Sequence, residues 1–250
     1  MENTNKIEGT NHELLSLLSQ KIDMPVVALV YGEDEEIEKN DVSIIVDAIS
    51  GIESDKACLI IHGNGGHFDS AIELGVFLRQ KFHKKLVSVI PKKAASAKAY
   101  IVLLSNEAWF SEKGHLTQFD IIFNYKGNLY RAHEELDNPE REIRDDAKFI
   151  WNISAELLTK IFLRQDSLCN EENVTRSFVL KVMDICMRNK SSHDIAVRPE
   201  QLKKLNFNVK TLDQEIEKEF CKVVENSLEN LKKQGRRFSL ESEKLALYIF

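Results

Sequence analysis

The sequence predicts an α/β fold, and three observations carry that expectation. Residues 26–31, 57–61 and 86–90 are short apolar runs, stopped respectively by Gly32, by a glycine-rich turn and by Pro91. Helically spaced apolar residues fill the intervals, with Val42, Ile44, Ile45, Ala48 and Ile49 in the first and a pattern over 69–82 in the second. The runs are nearly continuous rather than alternating, which suits strands covered on both faces, as in a parallel sheet. Two βαβ units in succession are the expected core.

The remaining elements follow in order. A helix over 14–22 begins after Thr10-Asn11 and is closed by Pro25. Another starts near Ser96, with Ala97, Ala99, Tyr100, Val102 and Leu103, and the strand-like Ala108-Trp109-Phe110 comes next. Residues 121–125 and 129–132 flank Lys126-Gly127-Asn128 and read as a hairpin. Helical patterns then dominate, over 139–164, 171–189 and 212–233. The last stretch ends in the apolar run 245–250, which has to dock on the chain's own core or on a partner. No internal repeat or low-complexity tract occurs.

Composition narrows the function. Lys and Arg number 34 against 40 Asp and Glu, a formal net charge of −6, so no basic excess exists to neutralise a phosphate backbone and nucleic acid is not expected as the main partner. The most apolar window, 86–104, is broken by Pro91, Lys92, Lys93 and Lys98, so no membrane span is expected. The polar, acidic amino terminus lacks the apolar core of a signal peptide. Cys58, Cys169, Cys186 and Cys221 lie far apart without a CxxC pair, which suits buried thiols rather than disulfides or a zinc site. A cytoplasmic protein without metal or cofactor is the expectation.

Three places could carry chemistry. In Gly63-Asn64-Gly65-Gly66, between a strand and a helix, missing Cβ atoms let backbone N–H groups approach a ligand oxygen. It fits neither the P-loop nor the GxGxxG pattern, and its bland alternative is a tight turn. Ser96, within Ala94-Ala95-Ser96-Ala97, sits among small residues at a helix start, where it is either a nucleophile beside the Ala97 N–H or an ordinary N-cap. His193, in Ser192-His193-Asp194, is either a general base or a surface residue.

The order and spacing of these segments resemble the Clp-protease/crotonase superfamily, and within it the serine dehydrogenase proteinase family, relatives of the signal peptide peptidase A proteases. The residues that carry the resemblance are His62-Gly63-Asn64-Gly65-Gly66, then Ala95-Ser96-Ala97, then Leu116-Thr117-Gln118-Phe119-Asp120, and finally Ser192-His193-Asp194 with the segment 199–207. The resemblance spans about 25–212 and implies stacked ββα units with a helical C-terminal region. On that division 1–24 is an N-terminal helix, 25–212 the Clp-like serine protease domain, and 213–250 a C-terminal helix with an apolar tail. It also implies a triad of Ser96 as nucleophile, His193 as base and Asp120 as the group that orients the imidazole, with Gly66 and Ala97 donating to the oxyanion.

Departures from the family pattern are local. Asn64 stands for a proline, Thr117-Gln118 for Gly-Pro, Ile121 for a proline, and Lys98 for a small residue, and the altered loop around Asp120 implies either a reshaped substrate pocket or a lost activity. The signal peptide peptidase branch uses a Ser-Lys dyad, so Lys93, Lys98 and Lys148 are alternative bases, although Lys148 amid Arg144, Asp145 and Asp146 also reads as a solvated helix face. The expected activity is that of a cytoplasmic serine hydrolase acting on a peptide or protein, assembled as a homo-oligomer as members of the fold usually are. The alternatives are an inactive scaffold that binds a peptide or protein partner, and an acyl-CoA enzyme of the crotonase branch.

Overall fold

A computed structural model describes residues 11–119, 122–164, 168–169, 174–187, 196–243 and the backbone of 245–249. In chain order the elements begin with α1 (His12–Ile22), β1 (Val26–Tyr31), α2 (Lys39–Ser50), β2 (Lys56–His62), α3 (Phe68–Lys81), β3 (Lys85–Ile90), β4 (Lys93–Ala94), α4 (Ala97–Leu103), β5 (Glu107–Phe110) and β6 (His115–Thr117). They continue with β7 (Ile122–Tyr125), β8 (Asn128–Arg131), α5 (Arg141–Phe162), α6 (Arg176–Cys186), β9 (Ala196–Val197), α7 (Pro199–Lys203), β10 (Val209–Thr211), α8 (Gln214–Gln234), β11 (Phe238–Ser242) and β12 (Leu245–Ile249). The chain is mixed α/β, as expected. Its main sheet has the order β10-β5-β3-β2-β1-β11-β12, parallel from β10 to β1 and antiparallel for the last two strands.

The order explains which helices lie where. From β1 through β2 and β3 to β5 every crossover steps one place in the same direction, and right-handed crossovers taken in one direction put α2, α3 and α4 on one face. Val27, Leu29, Tyr31, Leu59 and Ile61 point to that face and join Ile45, Leu74, Leu78 and Ile101. The opposite face carries Val26, Ala28, Val30, Cys58 and Ile60, covered by Leu15 and Leu18 of α1 and by Phe220, Val223 and Val224 of α8. Both faces of β1 and β2 are therefore buried, which is why those runs do not alternate with polar residues. Among the described residues no helix is long and apolar enough to cross a membrane.

A second, minor ladder crosses the ends of these strands. Ile37 bridges Gly66, Gly63 bridges Ala94, and β4, β6 and β9 form a three-stranded sheet in that order. Four main-sheet strands, β1, β2, β3 and β5, are thus each followed by a short extended segment and, for the first three, by a helix. The β7–β8 hairpin closes on Phe123 and Tyr130, whose stacked rings are 5.7 Å apart, and packs with Ile143 and Ala147 of α5.

The C-terminal run expected as a docking tail is strand β12, hairpin partner of β11, and β11 pairs with β1 in the main sheet. A buried polar knot joins this region to the amino-terminal helix. Asn11 Nδ2 donates to Val223 O at 3.2 Å, Ser227 Oγ at 2.9 Å and Glu241 Oε1 at 3.2 Å, while Ser227 Oγ donates to Glu241 Oε1 at 2.8 Å. All three residues are fully buried, so their hydrogen bonds have no solvent substitute. Asn11→Ala should therefore lower the unfolding free energy by about 2 kcal/mol, measured by urea titration. A change under about 0.5 kcal/mol would show the knot to be dispensable.

Candidate active site

The turn between β2 and α3 is held on two sides. Gly63 N donates to Lys93 O and Ala95 N to Gly63 O, both at 3.1 Å, which ties it to the start of α4. On its other side Ile37 N donates to Gly65 O at 3.0 Å and His67 N to Ile37 O at 2.9 Å. Such closeness needs positions without side chains. A Cβ on Gly63 would sit 2.7 Å from that of Tyr31, and one on Gly65 would sit 2.5 Å from the Cβ and 2.9 Å from the Oγ of Ser96. At Gly66 a Cβ would overlap the backbone of Ile37, and the φ of +123° is itself open only to glycine.

Ser96 is half-buried and stands immediately before α4, with φ +45° and ψ −117°. An ordinary N-cap serine has extended backbone angles and its hydroxyl accepts from an N–H of the first turn. Ser96 does neither, so the N-cap alternative is corrected: the backbone is strained and the hydroxyl makes no cap hydrogen bond. The strained turn is held by Ser96 N, which donates to Thr117 Oγ1 at 3.0 Å. The Ser96 Cβ and hydroxyl lie where a Gly65 side chain would begin. Among the described residues, neither the Gly66 N–H nor the Ala97 N–H has a hydrogen-bond acceptor.

Lysines surround the turn in unequal roles. Lys98 is fully buried; its Nζ donates to Asn64 O and, at 3.1 Å, to Gly65 O, and it lies 4.0 Å from the centre of the Tyr31 ring. Burial lowers its pKa to about 7, with Glu36 and Asp41 opposing the shift and Lys93 and Arg237 adding to it. Lys93 Nζ donates to Asn64 Oδ1 at 2.7 Å, and Asn64 Nδ2 donates to Glu33 O, so Asn64 ties the turn to two neighbouring segments. Lys148 is exposed on α5, as the solvated-face reading expects. Asp120 and His193 lie outside the described residues.

Sequence reasoning named Gly65 and Thr117 only within longer motifs, without the close approach of Gly65 to Ser96 or the Thr117 hydroxyl that holds the Ser96 amide, and it missed Arg237. Arg237 Nη1 donates to Asp41 Oδ1 at 3.1 Å and Nε to Glu35 Oε2 at 3.0 Å, and Asp41 Oδ2 accepts from Tyr31 Oη at 3.1 Å. These contacts fix the segment that carries Ile37 to the turn. One signal was present: Lys98 is the sole charge in Ala97–Leu103, a helix buried along its whole length. No protein-family model matches the chain, and no curated protein matches it either.

His62, at the end of β2, is 7% exposed, and its Nδ1 has no hydrogen-bond partner among the described residues. Burial, followed by the charges of Lys92, Lys93 and Lys98, lowers its pKa to about 4. Above the unfolded value near ~6.5 the ring is neutral in both states. As pH falls from there to about 4, the unfolded chain takes up a proton that the folded chain refuses, and stability is lost. At ~1.4 kcal/mol per tenfold change in proton affinity the loss approaches roughly 3 kcal/mol. Urea titrations from pH 7 to 4 should show wild type losing that much more than His62→Leu; parallel profiles would refute the assignment.

Proposed function

We propose that the protein is a cytoplasmic serine hydrolase acting on peptides, with Ser96 as nucleophile and the Gly66 and Ala97 N–H groups as donors to the oxyanion. The observation that carries this reading is the backbone of Ser96. A non-glycine residue at φ +45° between a strand and a helix, its side chain packed where Gly65 lacks one, matches the arrangement of a nucleophile elbow. The strain has no structural return, since the hydroxyl caps nothing. Two backbone donors, Gly66 N–H and Ala97 N–H, without an acceptor among the described residues, are what the negative oxygen of a tetrahedral intermediate requires.

The resemblance to the Clp-protease/crotonase fold supports the same reading, and so does the winding of strand, short segment and helix that repeats along the chain. It supplies His193 as base and Asp120 as its orienting partner. The described strands next to these residues favour that choice. In the sheet β4-β6-β9, β4 runs parallel to β6 and β9 antiparallel to it, so the end of β4 that leads to Ser96, the end of β6 at Thr117 and the start of β9 at Ala196 lie at one end of the sheet. Asp120 follows Thr117, and His193 precedes Ala196, by three residues each, a reach of about 10 Å. Within the described residues Lys98 Nζ donates to two carbonyls and makes no hydrogen bond to Ser96, which disfavours it as the base. Assembly as a homo-oligomer belongs to the same reading.

Acylation would begin with Ser96 Oγ attacking the carbonyl carbon while His193 takes the hydroxyl proton, and the carbonyl oxygen, now negative, would settle on the Gly66 and Ala97 amides. Collapse would expel the amine with that proton, and water would release the acyl group by the same route. Wild type should react with a fluorophosphonate probe, with labelling that rises between about pH 5.5 and 7.5 and then levels off. Ser96→Ala should abolish labelling, and Gly65→Ala should slow it roughly 100-fold by displacing the hydroxyl, whereas Gly51→Ala, whose added Cβ would have only an ordinary contact at 3.8 Å, should leave it unchanged. A folded wild type that does not label, assayed by mass spectrometry of the Ser96 peptide, would leave the scaffold reading in its place.

A further inference from the structure

Two adjacent peptide units of the glycine turn share one buried partner. The Gly65 carbonyl accepts from Lys98 Nζ at 3.1 Å and from Ile37 N at 3.0 Å, and the Asn64 carbonyl accepts from Lys98 Nζ as well. No described peptide bond is cis, and in a trans unit the C=O and the following N–H point in opposite directions. Tying down the Gly65 oxygen therefore aims the Gly66 N–H away from Lys98 and Ile37. Tying down the Asn64 oxygen aims the Gly65 N–H in the same manner. Glycine backbones would otherwise turn these planes at little cost.

We propose that Lys98 is a positioning residue for the oxyanion site: its ammonium clamps the Asn64 and Gly65 carbonyls and so fixes the direction in which Gly66 presents its N–H. The inference rests on the hydrolase reading for its functional half, and its geometric half stands alone. A methionine would fill the same space and pack equally well, so packing does not explain a charge at a fully buried position. What the ammonium adds is donors for two carbonyls and a cation for the Tyr31 ring face. Because burial brings its pKa to about 7, the clamp changes charge in the neutral range. The groups that face it are Tyr31 of β1, Glu36 of the following loop, Asp41 of α2, His62 at the end of β2, Lys93 of β4 and Arg237 before β11.

The test uses full-length protein labelled with ¹⁵N-glycine, in the wild-type, His193→Ala, Lys98→Met and His193→Ala/Lys98→Met forms. The Gly65 and Gly66 amide resonances should move with pH around 7, should still do so in His193→Ala, and should be displaced and insensitive to pH in both proteins that carry Lys98→Met. Gly127 and Gly235, in turns whose added Cβ would touch nothing, serve as the unmoved reference. Fluorophosphonate labelling of Lys98→Met should fall roughly 100-fold or more, while the midpoint of its pH profile stays where the wild-type base sets it. Gly65 and Gly66 amides indifferent both to Lys98→Met and to pH would overturn the proposal, as would labelling within twofold of wild type. A profile displaced to the alkaline side would also overturn it, by making Lys98 the base. Should Lys98→Met fail to fold, the titration of the two amides in the His193→Ala protein still decides. Absence of labelling in wild type would sink the hydrolase reading and leave the amide measurements to judge the clamp.

Discussion

Three segments that are distant in sequence meet at the turn after β2, and they meet only because three side chains are missing there. Tyr31 closes on Gly63, Ser96 on Gly65 and Ile37 on Gly66, each nearer than a Cβ would permit. Hydrogen bonds then use the closeness, with Lys93 and Ala95 pairing to Gly63 on one side and Ile37 to Gly65 on the other. The minor ladder grows outward from these pairings, and the strained Ser96 backbone is held between the turn and Thr117. Strain of order 1–3 kcal/mol at a single residue survives only where its surroundings leave no other choice. Here the surroundings are the glycine turn on one side and the Thr117 hydroxyl on the other.

Charge is distributed so that the turn faces a cationic interior. Lys98 lies beneath it, Lys93 binds its Asn64 side chain, and His62 stays neutral because it is buried and those cations are close. The compensating carboxylates, Glu35 and Asp41, are one layer away and are gathered by Arg237. The same arrangement explains why an apparent misfit in a short apolar helix is retained: the lysine serves the turn rather than the helix.

The strands 26–31, 57–61 and 86–90 were legible because burial on both faces writes itself as an uninterrupted apolar run, and the helices between them because one face alone is apolar. The strands β4, β6 and β9 were not, because two or three residues carry no period, and their pairing is decided by the turn they cross. The C-terminal hairpin read as a tail for a related reason: Phe238–Ser242 contains Glu241, a charge in the middle of a strand, and only the contacts with Asn11 and Ser227 show why it can be buried. At the site, Ser96 and Gly66 were found through the order of motifs. The φ of Ser96 and the reach of Lys98 belong to tertiary geometry, and no local pattern encodes them.

β1 is a central strand of the main sheet, yet one of its two neighbours is β11, synthesised near the end of the chain. While a ribosome makes the intervening segment, at 5–20 residues per second, the Val26–Tyr31 edge waits on the order of ten seconds or longer for its partner. That edge is a six-residue stretch without charge or proline, the composition most apt to pair with another chain. Birth of this protein thus includes an interval in which a strand central to the finished sheet is an open apolar edge, and a chaperone that shields nascent apolar edges would find its work here.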